Sequence, residues 1–155
     1  MIVSDATILI TLINIDKFDI LEKFVDKTYI TKEVYNEVCQ KVYAKKFIDS
    51  LIKKDFIGIK EFKNRQLYNE FRFILDKGES SSIVLAIEQK LPLIIDEKKG
   101  RNFAKSKGVE IIGLIGIIKY LYISGRLSKE EVLIIIELLN KRSFRIDKNL
   151  LELIL

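Results

Sequence analysis

The chain has 155 residues, 48% hydrophobic and 32% charged, with a net charge of +5, and this composition predicts one folded non-membrane domain over residues 1–155. It has one cysteine and no histidine, which excludes intramolecular disulfides, histidine-based catalytic triads and imidazole zinc sites. Any bound metal is therefore expected to be a hard cation such as Mg²⁺ or Mn²⁺, held by oxygen ligands.

Short β-like segments alternate with helical segments along the chain. In chain order we predict a strand at 2–4, helices at 6–14 and 16–24, a strand at 28–30, a long helix after 31, a strand at 56–59, helices at 64–75 and 80–90, a strand at 92–95, a helix at 99–107, a strand at 109–112, and helices at 114–123, from about 129, and at 148–155. Asp16 and Thr31 are expected to cap the helices that follow them. The long helix is predicted because Val34, Val38 and Val42 recur at helical spacing.

This alternation predicts an α/β fold in which helices flank a central, mostly parallel sheet. Residues from about 126 to 155 are expected to form a C-terminal helical extension of the same domain. In open parallel sheets, ligands bind at the carboxyl ends of the strands. The functional residues are therefore expected directly after the strands.

Two acidic residues stand where strands are predicted to end. Asp5 follows the first strand and precedes an apolar helix, and Asp96 follows the strand at 92–95, with Glu97 next to it. The hydroxyls of Ser4 and Thr7 are expected to orient Asp5 or to contact a substrate. The alternative for both aspartates is helix capping, which is the most common role of Asp before a helix.

Two further acids, Glu37 and Glu79, lie in helical segments. Glu37 sits among apolar residues of the long helix, and Glu79 opens a helix after Gly78. Alone, the first suits a solvated helix face and the second suits a favourable contact with the helix dipole. Together with the strand-end aspartates, they match a metal-dependent nuclease, because clustered carboxylates need a divalent cation that can activate water and neutralise phosphate charge.

Five segments in order resemble the PIN-domain ribonucleases, and most closely the compact prokaryotic branch of VapC-like toxins. The segments are residues 2–7, 29–38, 78–86, 93–101 and 109–116. The resemblance implies a PIN-like three-layer fold. It also implies that four acids are the catalytic and metal-binding residues: Asp5, Glu37, Glu79 and Asp96.

Two other residues in the resembling segments are candidates. Glu97 stands where a second Asp is common in the family and is a candidate further metal ligand. Arg101 is expected to contact a substrate phosphate or to form an ion pair with the acids. Thr31 stands where the family often has Pro, which affects only a helix start.

The resemblance implies an Mg²⁺- or Mn²⁺-dependent endoribonuclease that hydrolyses RNA and acts as the toxin of a toxin–antitoxin pair. The basic net charge suits an RNA substrate, although it is also an ordinary solubility margin. Alternatives are a non-catalytic nucleic-acid-binding module on the same fold and an RNA-processing nuclease without an antitoxin. A nucleotide-binding domain is disfavoured because neither a Gly-x-Gly-x-x-Gly turn nor a P-loop is present.

Three expectations concern location and partners. Residues 1–5 show no basic region and no cleavage site, which predicts a cytoplasmic protein. A protein antitoxin is expected to cover the site or an exposed groove. A homodimer is expected through the apolar helices after Asp5 and at 150–155, unless those helices belong to the core.

Overall fold

The structure, a computed structural model, describes residues 1–142 and 148–154. The strands of this part are β1 (Ile2–Ser4), β2 (Thr28–Ile30), β3 (Ile57–Ile59), β4 (Leu93–Ile94) and β5 (Ile111–Ile112). Its helices are α1 (Ala6–Asn14), α2 (Asp19–Phe24), α3 (Lys32–Val38), α4 (Val42–Lys53), α5 (Arg65–Phe71), α6 (Lys77–Gln89), α7 (Lys98–Ser106), α8 (Leu114–Ile123), α9 (Lys129–Asn140) and α10 (Lys148–Ile154). Leu155, predicted to end the last helix, lies outside the described residues.

The five strands form one parallel sheet in the order β3-β2-β1-β4-β5, which confirms the predicted α/β fold. The chain builds outward from β1 to β3 on one side and then crosses back to add β4 and β5 on the other. This reversal places a topological switch point between β1 and β4. A crevice for ligands opens at such a point, outside the carboxyl ends of the two strands.

Helices cover both faces of the sheet, as predicted for a three-layer fold. Ile2 and Ile94 belong to one apolar cluster, which also contains the buried residues of α1 to α4, α8 and α9. Val3 and Leu93 belong to a second cluster with residues of α5, α6 and α7. Neighbouring residues of a strand point to opposite faces, so both faces of these short strands must be apolar.

The single long helix predicted after Thr31 is wrong, because the structure has two helices, α3 and α4, in its place. Val38 is buried near the end of α3, whereas Val42 at the start of α4 is 71% exposed. The next buried residue is Ala44, six positions after Val38, and this step does not fit helical spacing. The chain therefore turns between the helices so that each can bury its own face.

Two helix starts also differ from the prediction. Asp16 adopts a left-handed backbone conformation with φ of 56° and does not cap a helix, and α2 begins at Asp19. The helix predicted over 80–90 begins at Lys77, because the Asp76 side chain accepts the backbone N–H of Glu79 at 2.8 Å. Asp76 therefore caps α6 and stands at the carboxyl-end side of the sheet.

The apolar helices considered for self-association have different environments. Ile8, Leu9 and Leu12 of α1 are fully buried, so this helix is part of the core. In α10, Leu150 is buried, while Leu151 is 37% exposed. Of the helices described, none combines the length and the apolarity that crossing a membrane requires.

Candidate active site

Asp5 lies at the end of the central strand and is held there by the sheet. Its backbone N–H donates to the carbonyl oxygen of Ile94 in β4 at 3.0 Å, and the residue is only 3% exposed. It occupies the N-cap position of α1, but its side chain makes no capping hydrogen bond. Helix capping, the alternative considered from the sequence, therefore does not explain this buried carboxylate.

Carboxylates from three elements converge on Gly78, the second residue of α6. A Cβ atom at Gly78 would lie 3.0 Å from Oε1 of Glu37, 3.4 Å from Oδ1 of Asp5 and 3.6 Å from Oδ1 of Asp76. Three carboxylate oxygens thus surround a space beside Gly78 that the Cβ atom of any other residue would fill. Asp76 was not predicted as a site residue, because in the sequence it marks a turn. Its position three residues before Glu79 is typical of a helix N-cap, and this signal could have placed it beside that acid.

Glu79 and Glu97 extend this group on the α7 side. Glu79 is 8% exposed, and its Oε2 atom is buried without a hydrogen-bond partner among the described residues. The Glu97 side chain accepts the backbone N–H of Gly100 at 3.3 Å and so caps α7. We call the five residues Asp5, Glu37, Asp76, Glu79 and Glu97 the acid cluster.

Burial and mutual repulsion make several of these carboxyls reluctant to ionise. Burial, opposed by the Ala6 backbone and assisted by nearby acids, raises the pKa of Asp5 to about 7. The pKa of Glu79 is raised to about 9 by burial and by the adjoining Glu97 and Asp76 carboxyls. Burial also raises the pKa of Glu37. A bound divalent cation would oppose these effects, because it favours the ionised form of every carboxyl nearby.

Asp96 has a different set of contacts, although it is adjacent to Glu97. Its carboxylate accepts the backbone N–H of Leu114, at 3.2 and 3.3 Å, at the start of α8. Burial raises the pKa of Asp96, while Leu114 and the Arg101 guanidinium lower it. Arg101 also donates from Nη1 to the carbonyl oxygen of Ile95 at 3.0 Å. These contacts involve no member of the acid cluster, and they tie α7 and α8 to the end of β4.

Hydroxyl groups position the elements that carry the acids. The Ser4 hydroxyl donates to the backbone carbonyl of Asp5 at 2.9 Å, whereas Thr7 is exposed on α1. Thr31 accepts the N–H of Val34 and so caps α3, as predicted, and its hydroxyl lies 2.7 Å from that of Ser81 in α6. This buried contact links the start of the Glu37 helix to the helix of Glu79, and no local sequence pattern predicted it.

The acid cluster provides oxygen ligands only, which suits Mg²⁺ or Mn²⁺. Within residues 1–142 and 148–154, however, no three Asp, Glu or Cys side chains are placed closely enough to hold a metal ion as they stand. Oxygens of Asp5, Glu37 and Asp76 nevertheless lie within 3.0–3.6 Å of one point beside Gly78, and a buried oxygen of Glu79 has no hydrogen-bond partner in the described residues. Both features fit a cation held between these side chains.

Comparisons with known proteins agree with this arrangement. No curated protein shows significant similarity to the chain. A family model described as a PIN domain matches residues 1–155. PIN domains are generally nucleases, and they typically use divalent metals. The match covers the full length given, and the parallel three-layer fold is consistent with it, so the chain belongs to the PIN-domain family.

Proposed function

We propose that this protein is a divalent-metal-dependent endoribonuclease. The observation that carries the proposal is the convergence of Asp5, Glu37 and Asp76 on the open point at Gly78, at the switch point of the sheet. Asp5 is buried and Glu37 is partly buried, and carboxylates from separate elements are costly to place together, because they repel one another and burial disfavours their ionised form. A divalent cation that they hold in common would offset that cost.

In the proposed reaction, Mg²⁺ or Mn²⁺ would activate a water molecule and neutralise charge on the attacked phosphate. Asp5, Glu37 and Asp76 would hold the ion, and Glu79, Asp96 and Glu97 are the further candidate oxygen donors. Because Asp5 and Glu79 are buried, bulk water is largely excluded from their carboxyls, and their electrostatic attraction to a bound cation would be stronger.

Basic residues next to the acids would bind the RNA backbone. Lys77 follows Asp76, and Lys98 and Lys99 follow Glu97. All three lysines are exposed, and none forms an ion pair with another residue of the described part of the chain. They can therefore contact phosphates and release counterions on binding, which makes the affinity for RNA depend on salt.

A cleavage assay tests this function. A 5′-labelled single-stranded RNA is incubated with the wild type in Mn²⁺, in Mg²⁺ and in EDTA. We expect internal cleavage only with metal, and a loss of at least 100-fold in Asp5→Asn and Glu37→Gln. Glu110→Gln is the matched control, since Glu110 is exposed at the opposite end of the sheet, and it should cleave normally. Equal, metal-independent cleavage by all four proteins would refute the proposal.

The main alternative is a module on the same fold that binds nucleic acid without cutting it. It predicts salt-sensitive RNA binding that Asp5→Asn leaves unchanged, with no turnover in Mn²⁺. The high pKa values of Asp5 and Glu79 favour the enzyme, because uncompensated burial of acids has no role in a surface that only binds RNA. Turnover that depends on metal would decide for the nuclease.

The biological role is a separate part of the proposal. We propose a VapC-like toxin that a protein antitoxin inhibits, with an RNA-processing nuclease as the alternative. Expression of the wild type should then arrest growth, and expression of Asp5→Asn should not. A neighbouring small reading frame for a DNA-binding protein, whose co-expression restores growth, would support the toxin. Undiminished growth on expression of active enzyme would favour RNA processing.

We also propose a homodimer in the cytoplasm. Exposed apolar side chains on the helices after the sheet support self-association: Tyr120 and Ile123 are 50% and 71% exposed on α8, and Ile134 is 50% exposed on α9. Burying such residues against a second copy would remove apolar surface from water. Light scattering coupled to size exclusion should give twice the chain mass of 18.0 kDa, and a monomer mass at micromolar concentration would refute it.

A further inference from the structure

A polar cleft opens beside the acid cluster, between α3, α5 and the start of α6. It has a volume of about 420 Å³, and its lining residues are Glu33, Asn36, Glu37, Gln40, Tyr68 and Lys77. Glu37 thus belongs both to the acid cluster and to the cleft wall. A ligand in the cleft would therefore lie directly beside the carboxylates that are proposed to hold metal.

Three polar side chains of the cleft are not used by the fold, whereas Glu33 pairs with Arg65, its Oε1 atom lying 3.9 Å from Nη1. Asn36 and Gln40 are exposed, and in residues 1–142 and 148–154 neither amide has a hydrogen-bond partner. Lys77 is likewise exposed and makes no ion pair there. An amide offers a donor and an acceptor side by side. Two such groups next to a cation form a surface that can bind both a nucleobase edge and a phosphate.

Tyr68 provides an aromatic wall that its neighbours hold in place. Its ring lies 4.9 Å from the ring of Phe62, and the guanidinium of Arg65 lies 5.6 Å from its centroid. The residue is half-buried, and burial raises the pKa of its hydroxyl, with Glu33 adding to the effect. A ring that is already fixed loses little conformational entropy when a base stacks on it.

We propose that this cleft binds one unpaired nucleotide of an RNA substrate, with its base against Tyr68 and its edge hydrogen-bonded to Asn36 and Gln40. This inference rests on the proposed nuclease function and names the form of RNA that the site accepts. Unpaired bases can stack on aromatic side chains and leave their Watson–Crick edges free, whereas paired bases stack on one another and use those edges in pairing. Asn and Gln side chains commonly pair with the N6 donor and N7 acceptor of adenine, and on this precedent we expect adenine as the base.

Binding is measured separately from cleavage so that the two proposals can fail independently. Labelled 12-nucleotide single strands of A, C and U, and a hairpin duplex, are titrated in Mn²⁺ against protein carrying Asp5→Asn, and anisotropy is recorded. We expect the A strand to bind tightest and the duplex at least tenfold more weakly. Adding Asn36→Ala or Gln40→Ala should weaken binding of the A strand by about fivefold or more and remove the base preference.

Controls separate the cleft from the rest of the surface. Asn140→Ala changes an exposed amide at the end of α9, outside the cleft, and should leave every affinity unchanged. Tyr68→Phe keeps the ring and should retain binding, whereas Tyr68→Leu should lose it; circular dichroism checks that both proteins are folded.

Two results would overturn the proposal for the cleft. The first is that the Asp5→Asn protein binds single strands and the duplex with equal affinity. The second is that its base preference is unchanged when Asn36→Ala or Gln40→Ala is added. If wild type cleaves RNA with a kcat/KM that these two substitutions do not alter, the cleft proposal fails and the nuclease stands. If the cleft variants lose binding but the wild type never cleaves, the nuclease fails and the cleft stands.

Discussion

Replacing Asp5 by Asn should stabilise the metal-free protein at alkaline pH. The pKa of the Asp5 carboxyl rises from 3.8 to about 7 on folding, chiefly because the residue is buried. The folded state therefore binds more protons than the unfolded state between these values, and stability falls as the pH rises through them. Above about pH 7 the ionised carboxylate costs the folded state up to about 4 kcal/mol. Asn has nearly the same shape and no charge, so it avoids this cost.

The size of the effect can be measured by urea unfolding in EDTA at pH 4 and pH 8. The variant should gain up to about 4 kcal/mol over wild type at pH 8, or about 10 °C in Tm for a domain of this length. At pH 4 the difference should nearly vanish, because Asp5 is then largely protonated in the folded wild type. The other acids of the cluster are present in both proteins, so the difference reports the burial of the Asp5 charge together with its repulsion from those neighbours.

Metal should reverse the order of stability. Mn²⁺ is expected to stabilise wild type, since a ligand that binds only the folded state raises its stability, and to have little effect on Asp5→Asn. A variant that is no more stable than wild type at pH 8 in EDTA would refute the reasoning. So would an equal gain from Mn²⁺ in both proteins, because the buried charge would then have no link to metal.

Two glycine substitutions should differ in their effect on stability. Gly78→Ala places a Cβ 3.0 Å from Oε1 at the flexible end of the Glu37 side chain. Because alanine favours a helix by up to about 1 kcal/mol, the stability of the protein should be unchanged. The affinity for Mn²⁺, measured by calorimetry, should fall at least tenfold. Gly100→Ala places a Cβ 2.5 Å from Oε2 of Glu79 and 2.6 Å from Cδ1 of Ile95, both in buried residues, and should cost about 1–3 kcal/mol in urea unfolding. Equal loss of stability in both variants would contradict this contrast.

Several features of the fold were predictable because they depend on local pattern. The strand at 2–4 is short and apolar, and Asp5 follows it directly, so an acid at the carboxyl end of a parallel sheet could be expected. Thr31 caps α3 as predicted, because a hydroxyl before a helical pattern can accept a backbone N–H within three residues. The α/β class followed from the alternation of the segments.

The composition of the acid cluster was less predictable. Asp96 and Glu97 are adjacent in sequence, yet they face different neighbours. Asp96 contacts the start of α8, while the Glu97 carboxyl raises the pKa of Asp5 and of Glu79. Successive side chains at the end of a strand point to opposite sides, but which side faces the cluster depends on the sheet order. Asp76 lies two residues before Gly78 in the chain, and it joins the cluster because the start of α6 packs against α3, which carries Glu37, and against β1, which Asp5 follows.

The sequence by itself determined the chemistry that is available to this protein. It contains no histidine and one cysteine, so a metal site must use oxygen ligands, and its segments indicated a PIN-like α/β domain. Only the tertiary structure decided which acids meet. Residues 5, 37 and 76 are far apart in the chain, and they converge because the crossover from β3 to β4 returns α6 to the centre of the sheet. Such contacts depend on packing between distant elements, which local sequence patterns do not specify.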